Sequence, residues 1–546
     1  MELYAQDNWK ATKRLTLDYG VRFYYLTPQW DQTLQASTFL PNEWTAANAP
    51  NLYYPACKGA YPCSGSNLIG VDPTNAANTT EGRFVGRLVQ GSTDANRFNG
   101  SFQAGQGIND TMYSGNVIKI SPRLGVVYDL TGEGRTILRG GFGIFYDRPQ
   151  GNTVFDTVTN APGMLQPTLN WGLLTSALSQ TDPYPTLGTN PTAYDFIPPK
   201  VTAWNVGVQH KLAHAIVLDI AYVGSKSDKL LEYDQINALP AGTLFKPENQ
   251  DPTRTPGSVP GSTAYTTDLL RPRPGYGGIR MWQNTAYANY HALQAALNRR
   301  FDNGLMFSVF YVWSKTLGTN STDWNTRVPY SSDAENTKAN YSYTDADRPH
   351  NFVFNFVYQT PKKAKGALGL LVNEWQISGI YRYVSGRPYG ISYSVPGYGG
   401  NNITGGTDYP NRVVVTCDPG KGSSGDPYKQ IDTSCFAPPQ VGSLGYDSAR
   451  YFVHAPPINN VDLSLSKAFT VGKGVRLEVR LDAFNALNHT QFTGVNSSVS
   501  FASISDHTVT NLPYDSSGNL VRQNGFGTIN GVAPPRTIQL VTRLTF

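Results

Sequence analysis

Between Val475 and Leu487 the chain alternates. Val475, Leu477, Val479, Leu481, Ala483 and Leu487 share one parity, and Arg476, Glu478, Arg480, Asp482 and Ala486 the other; Phe484 and Asn485 blur the end. Successive strand side chains point to opposite faces. The pattern predicts a strand with one apolar face and a ladder of opposite charges on the other. The same alternation runs through Leu15, Leu17, Tyr19, Val21 and Phe23, then Leu124, Val126 and Tyr128, and then Leu138, Phe142, Ile144 and Tyr146. Further strands are expected near Leu3–Trp9, Val201–Leu212, Ile216–Val223, Tyr290–Phe301, Leu305–Thr316, Asn351–Gln359, Trp375–Val384, Val461–Phe469 and Arg536–Phe546. The total is about 13 strands.

Many of these strands pair across tight turns, at Lys10–Arg14, Thr131–Arg135, Ala213–Ala215, Asp302–Gly304 and Gly472–Gly474. Long Asn-, Gly-, Tyr- and Pro-rich stretches separate the pairs, near 27–118, 148–199, 225–287, 317–348, 386–456 and 489–534. Their lengths vary too much for the regular blades of a propeller. Short turns at one end and long loops at the other are the build of an outer-membrane barrel. The expected fold class is therefore all-β, an antiparallel transmembrane β-barrel with long extracellular loops. In such a barrel Arg476, Glu478, Arg480 and Asp482 face the lumen; in a soluble sandwich they would face water. This strand alone does not choose.

Composition narrows the classes. Charged residues are 15% of the 546 and aromatics 12%, whereas soluble domains average roughly 25% charged. The net charge of +5 is spread without a basic stripe, so no nucleic-acid partner is expected. No apolar run is long enough for a transmembrane helix, but barrel strands need only about 9–11 residues. The start, MELYAQDNWK, lacks the basic and apolar regions of a signal peptide. Tracing back from a last strand that ends in the periplasm, the first strand runs inward. Complete single-chain barrels have even counts and begin outward. Both points lead us to expect a fragment, lacking the plug domain and N-terminal strands of a longer barrel protein.

The four cysteines, Cys57, Cys63, Cys417 and Cys435, form no Cys-x-x-Cys pair. Local disulfides Cys57–Cys63 and Cys417–Cys435 are the simplest reading, although four cysteines allow three pairings and free thiols are an alternative. Neither a G-x-S-x-G, an H-E-x-x-H nor a phosphate-binding loop occurs, so no catalytic residues, metal or cofactor are expected. His210 and His214 sit at a strand end and a turn, where that spacing builds no shared ligand face. Asp333, Glu335, Asp345 and Asp347 read as a solvated acidic loop, because they lack the spacing of a calcium loop. Asp347-Arg348-Pro349-His350 reads as a strand start braced by an Asp–Arg pair, with Pro tolerated at a first strand position. Tyr19, Phe23, Tyr25, Tyr128, Tyr146, Tyr222, Tyr311, Trp313 and Tyr358 fall near strand ends and suit interfacial aromatic girdles.

Six segments, in order, resemble one family. Glu2–Tyr25 (ELYAQDNWKATKRLTLDYGVRFYY) resembles the hairpin of TonB-dependent receptors, in particular the Oar-like group, which carries a carboxypeptidase-regulatory-like domain. Ser121–Arg148, Asn289–Gly318, Asp347–Tyr358, Trp375–Tyr389 and Leu477–Phe492 are similar to the same group. The resemblance implies a barrel of about 22 strands around a plug, and coupling to the TonB complex through a segment near the N-terminus. The terminal Phe546 on an alternating strand resembles the signal read by barrel assembly machinery. The implied function is uptake or export of a large or scarce solute, such as an oligosaccharide, peptide or metal chelate, in contact with outer-membrane lipid. The ligand-binding residues are unknown. The alternatives are a passive porin or surface adhesin, and a secreted all-β carbohydrate-binding or hydrolytic protein.

Overall fold

In the computed structural model the described residues are all except 116–117, 149–150, 166–181, 321–336, 400–402, 407–411, 423–424 and 472–473. Thirteen antiparallel strands follow one another in a single sheet, each paired with its sequence neighbours. They are β1 (Glu2–Lys10), β2 (Leu15–Tyr25), β3 (Ile118–Asp129), β4 (Thr136–Tyr146), β5 (Lys200–Lys211), β6 (Ile216–Gln235) and β7 (Tyr276–Asp302). Then come β8 (Leu305–Gly318), β9 (His350–Gln359), β10 (Trp375–Val384), β11 (Ile458–Val471), β12 (Val475–Phe484) and β13 (Thr537–Thr545). Two short strands, Leu187–Thr189 and Ser342–Tyr343, join off this path, making fifteen. β1 and β13 stand at the two ends of the order, each paired on one side.

The register carries one parity across the whole sheet. Leu17 pairs with Val126, Tyr128 with Leu138, Leu138 with Val208, and Val208 with Ile220. Leu218 pairs with Leu297, Leu297 with Val309, Val309 with Phe354, and Phe354 with Tyr381. Ile377 meets Leu465, Leu465 meets Leu481, and Leu481 meets Leu540. A slip of one residue anywhere would turn every later side chain over. The result is one apolar face thirteen strands wide. Nothing in the described chain covers it: Leu124, Phe142, Val206, Leu293, Leu465, Leu481 and Leu540 are all more than a third exposed.

The buried apolar clusters lie instead at the long-loop end. The largest joins the 385–457 and 485–536 connections through Ile391, Val413, Phe436, Val499, Phe501 and Phe526. Smaller ones hold Phe39 against Tyr276 and Ile279, and Leu52 against Leu88 and Leu269. The described parts of the long stretches thus carry short strands, and several of them share buried clusters. Two expected strands were drawn too short. Ile216–Val223 extends to Gln235, and Tyr290–Phe301 begins at Tyr276. Beyond the last pair with β5, Lys200 with Asp228, β6 keeps β7 as its partner, with bulges between Ser227 and Glu232, while the start of β7 also pairs with Leu187–Thr189. The bulges and the mixture of buried apolar and polar side chains, such as Tyr233 beside Glu232 and Asp234, remove the alternation that marks the lower strand. Conversely, Val475–Leu487 stops at Phe484, because Asn485 turns to φ 50° and accepts the His489 N–H at 2.9 Å.

Phe526 is fully buried, edge-on to Phe436 at 5.3 Å. Phe526→Ala should cost the loop layer about 3–5 kcal/mol and leave the strands unaffected. Hydrogen exchange would show amides of 385–457 and 485–536 losing protection while those of β1–β13 keep theirs. Uniform loss across the strands would contradict a separate loop core.

Candidate functional site

The charged ladder of β12 sits opposite the apolar face. Across β13 the register sets Glu478 against Arg543 and Asp482 against Gln539. Across β11 it sets Asp482 against Ser464, whose hydroxyl donates to Asp482 Oδ1 at 2.6 Å. Arg480 Nε lies 3.1 Å from Asp482 Oδ2. Arg476 faces Thr470 and Thr545. The same face continues on β4–β6, where Arg139 bonds Gln209 and lies 3.9 Å from Asp219. It reaches β1 and β2, where Arg22 pairs with Glu2 at 3.3 Å. A groove of about 470 Å³ runs there over Tyr4, Gln6, Asp18, Arg22 and Arg123.

At the long-loop end the extension of β6 and β7 buries two acids. Glu232 and Asp234 are 1% and 0% exposed. Thr285 Oγ1 lies 3.2 Å from Glu232 Oε2 and 3.3 Å from Asp234 Oδ2. Burial, then the neighbouring Asp234 charge, pushes the Glu232 carboxyl up to about 8; Thr285, Arg450 and Asn340 oppose the rise. Arg450 and Arg412 are held below the usual guanidinium value by their own burial. Arg412 donates to the Ala339 and Ser448 carbonyls, at 2.9 and 3.0 Å. Thr285 also lines a cavity of about 550 Å³ with Glu43, Tyr194, Asp195, Lys229, Gln283 and Asn284. Its carboxylates, amides and ammonium suit a polar solute.

Alternation gave no sign of this cluster, whose members lie far apart in sequence. The reading of Asp347 as a solvated acid is corrected: it is fully buried. Its carboxylate takes the Thr316 N–H at 2.6 Å and pairs with His454 Nε2 at 2.9 Å. The expected Asp–Arg brace is corrected too. Arg348 donates to the Asp345 and Asp347 carbonyls, so it ties backbone, and His454 takes the carboxylate. A folded loop brings His454 in from 107 residues away, which local sequence does not signal. Asp333 and Glu335 lie outside the described residues.

The other singled-out residues fall as follows. Cysteines pair as Cys57–Cys63 and Cys417–Cys435, with Cα atoms 5.8 and 4.9 Å apart. Asp432 lies beside the second pair, whose bonded sulfurs offer no thiolate to a metal. His210 Nδ1 lies 2.8 Å from Thr136 Oγ1, and His214 is in the turn at φ 60°. On the apolar face one diagonal contact occurs twice: Tyr222 with His291 and Tyr311 with His350, stacked at 6.2 Å and hydrogen-bonded at 2.7 and 2.9 Å. Trp313 stands opposite His350 and is 57% exposed. Phe546 follows β13 and is 96% exposed.

Residues 1–539 match the family described as "Outer membrane beta barrel domain". No curated protein matches the chain. Among solved structures it is similar to the outer membrane transporter YddB from Escherichia coli, at 10% identity and a TM-score of 0.42. It is also similar to the ferric-catecholate import receptor Fiu from E. coli K12, at 11% and 0.38, and to the siderophore receptor PirA from Acinetobacter baumannii, at 10% and 0.39. All of this chain is covered in each case, and it spans 53%, 44% and 54% of those chains.

The Glu232 pKa gives a pH dependence. The folded form keeps a proton that the unfolded form releases. The stability tied to this group is therefore full below about pH 4.5 and is lost as pH rises through about 8. Glu232→Gln should flatten that slope and stabilise the loop layer at pH 8 by more than about 1 kcal/mol. Unfolding of the loop layer at pH 5 and pH 8 measures it; an unchanged slope would refute the assignment.

Proposed function

We propose, from the premise that the chain belongs to the family of outer membrane β-barrel domains, that it forms barrel wall of a TonB-dependent receptor and is not an enzyme. The protein resides in the outer membrane. The observation that carries the reading is the unbroken parity of the sheet, which leaves its apolar face exposed from β1 to β13. That face meets lipid. The opposite face, with Arg476, Glu478, Arg480 and Asp482, lines the lumen. The short turns lie in the periplasm and the loop layer outside the cell.

The edges of β1 and β13 are each paired on one side. Unsatisfied backbone groups in hydrocarbon cost several kcal/mol each, so further strands close the barrel. The family resemblance makes these about nine, for a total of about 22. The Oar-like group is the subgroup we favour. Coupling comes from the TonB complex acting on a plug, and the cargo is a large or scarce solute such as an oligosaccharide, peptide or metal chelate. A loop layer with its own cores favours a gated receptor over an open porin.

Single cysteines test the faces. Arg480→Cys should react with water-soluble reagents and Leu481→Cys with lipid-phase probes; reversed labelling would overturn the barrel. Solute uptake into cells bearing the full protein should cease when the proton-motive force is collapsed. Persisting uptake would favour the porin.

Phe546 tests assembly. Its removal leaves the β13 ladder intact, and the barrel loses only about 1.5–3 kcal/mol of burial. We expect deletion to reduce outer-membrane levels sharply while periplasmic degradation rises. Equal abundance after membrane fractionation would show that Phe546 is only a packing element.

A further inference from the structure

Most connections at the short-turn end are brief; the longest of the others spans 130–135. The link from β9 to β10, residues 360–374, is different. It contains a helix, Gly366–Val372. Leu368, Leu370, Leu371 and Val372 are 62%, 60%, 69% and 45% exposed. Leu368, Leu371 and Val372 share one stripe, since positions three and four apart are neighbours on a helix. Helices this short are not stable alone in water, and this one shows its aliphatic side chains instead of burying them.

The helix is fixed in place by its neighbours. Asn373 clasps Ala364, taking its N–H at 3.2 Å and donating to its carbonyl at 2.8 Å. Thr360 Oγ1 donates to the Val372 carbonyl at 3.1 Å. Lys362 pairs with Glu374 at 2.5 Å. A Cβ at Gly369 would meet the Ala364 carbonyl at 2.5 Å, so the close return needs glycine there. Trp375 Nε1 donates to the Leu371 carbonyl at 2.6 Å. Trp375 pairs with Lys467, on the same parity as Ile377 and Leu465, so it belongs to the apolar face. The Lys467 ammonium bonds the Asn373 carbonyl and lies 5.5 and 5.4 Å from the Trp375 and Phe469 rings. The helix is therefore tied to the base of the lipid-facing side.

We propose that Gly366–Val372 is an interfacial anchor seated in the periplasmic leaflet of the membrane. Its Leu368, Leu371 and Val372 side chains enter the acyl boundary. Lys363 and Lys365 reach the headgroup phosphates, as long basic side chains do beside an apolar helix face. Two observations favour lipid as the occupant. The helix backbone is bonded to Trp375 and Lys467, which stand on the parity of the apolar face, so the exposed stripe lies beside that face. The link also carries three lysines, Lys362, Lys363 and Lys365, against one acid, Glu374, which complements anionic phospholipid. The inference rests on the assignment of the apolar face to lipid.

The full protein, in bilayers of phosphatidylethanolamine and phosphatidylglycerol, carries Leu371→Cys labelled with an environment-sensitive fluorophore. Brominated phospholipid should quench most of the emission, and aqueous iodide little of it. Leu465→Cys on the sheet face is the control. If Leu465 is quenched by bromolipid and Leu371 only by iodide, the helix sits in water and the anchor is refuted. If Leu371 responds to neither quencher, a protein surface covers it and lipid is refuted as the occupant. If Leu465 also escapes bromolipid, the face assignment fails and the anchor falls with it. A Leu370→Cys label, expected to report less lipid contact than Leu371, guards against a single misfolded variant.

Discussion

Inside a bilayer each backbone N–H and C=O must find its partner in protein, because hydrocarbon offers none. That constraint shapes this sheet. Strands satisfy each other sideways, so outside the β6–β7 extension each strand between β1 and β13 is paired on both sides, and the order follows the sequence. Once the ladder is fixed, side-chain parity is the only freedom left. It sets most of the Leu, Val and aromatic side chains on one side and most of the charged ones on the other, with exceptions such as Lys467 opposite Trp375 and Asp7 opposite Tyr19. The pairings of Tyr128 with Leu138 and of Leu481 with Leu540 obey the same rule at opposite ends of the sheet.

Beyond the ends of the strands the constraint relaxes and the opposite economy applies. The long connections are wet on the outside and must build their own interiors. They do so through Phe501, Phe526 and Phe436, through Phe39 against Tyr276, and through two disulfides. They also bury ionisable groups. Asp347 with His454, and Glu232 and Asp234 beneath Arg450, are held by partners contributed from distant loops. Removing one member of such a set strands the other in a low dielectric, so these groups lock the loops to each other and to the extended β6–β7 hairpin.

The sequence disclosed what alternation can disclose. All thirteen main strands were legible, and so were the short turns, because lipid on one side and water on the other impose a period of two. The end at Phe484 was obscured because Asn485 and Asn488 leave the pattern for left-handed turns. The upper halves of β6 and β7 read as loop, since bulges between Ser227 and Glu232 and buried side chains of both kinds, Tyr233 and Ile279 beside Glu232 and Asp234, break the period of two. Glu232 falls in the stretch that reads as loop, near 225–287. Its burial depends on what the loops lay over it, and no local pattern encodes that. Asp347 was misjudged for the same reason. The helix at Gly366–Val372 also went unread; GALGLLV is too short to show a helical period.

These differences bear on where selectivity resides. In the ladder of β12, Asp482 is engaged by Ser464 and Arg480, and Glu478 stands across from Arg543. Ion pairs in a wet lumen contribute little net energy, so such a wall tolerates change and demands little of a passing solute. The loop cavity is different. Thr285 both lines it and holds the buried acids, and Glu232 keeps its proton because it is buried. A solute that settles in the cavity touches a residue already engaged with the stability of the loop layer. Thr285 is thus shared between the loop cavity and the buried acid pair, whereas the charges of β12 engage only their strand neighbours.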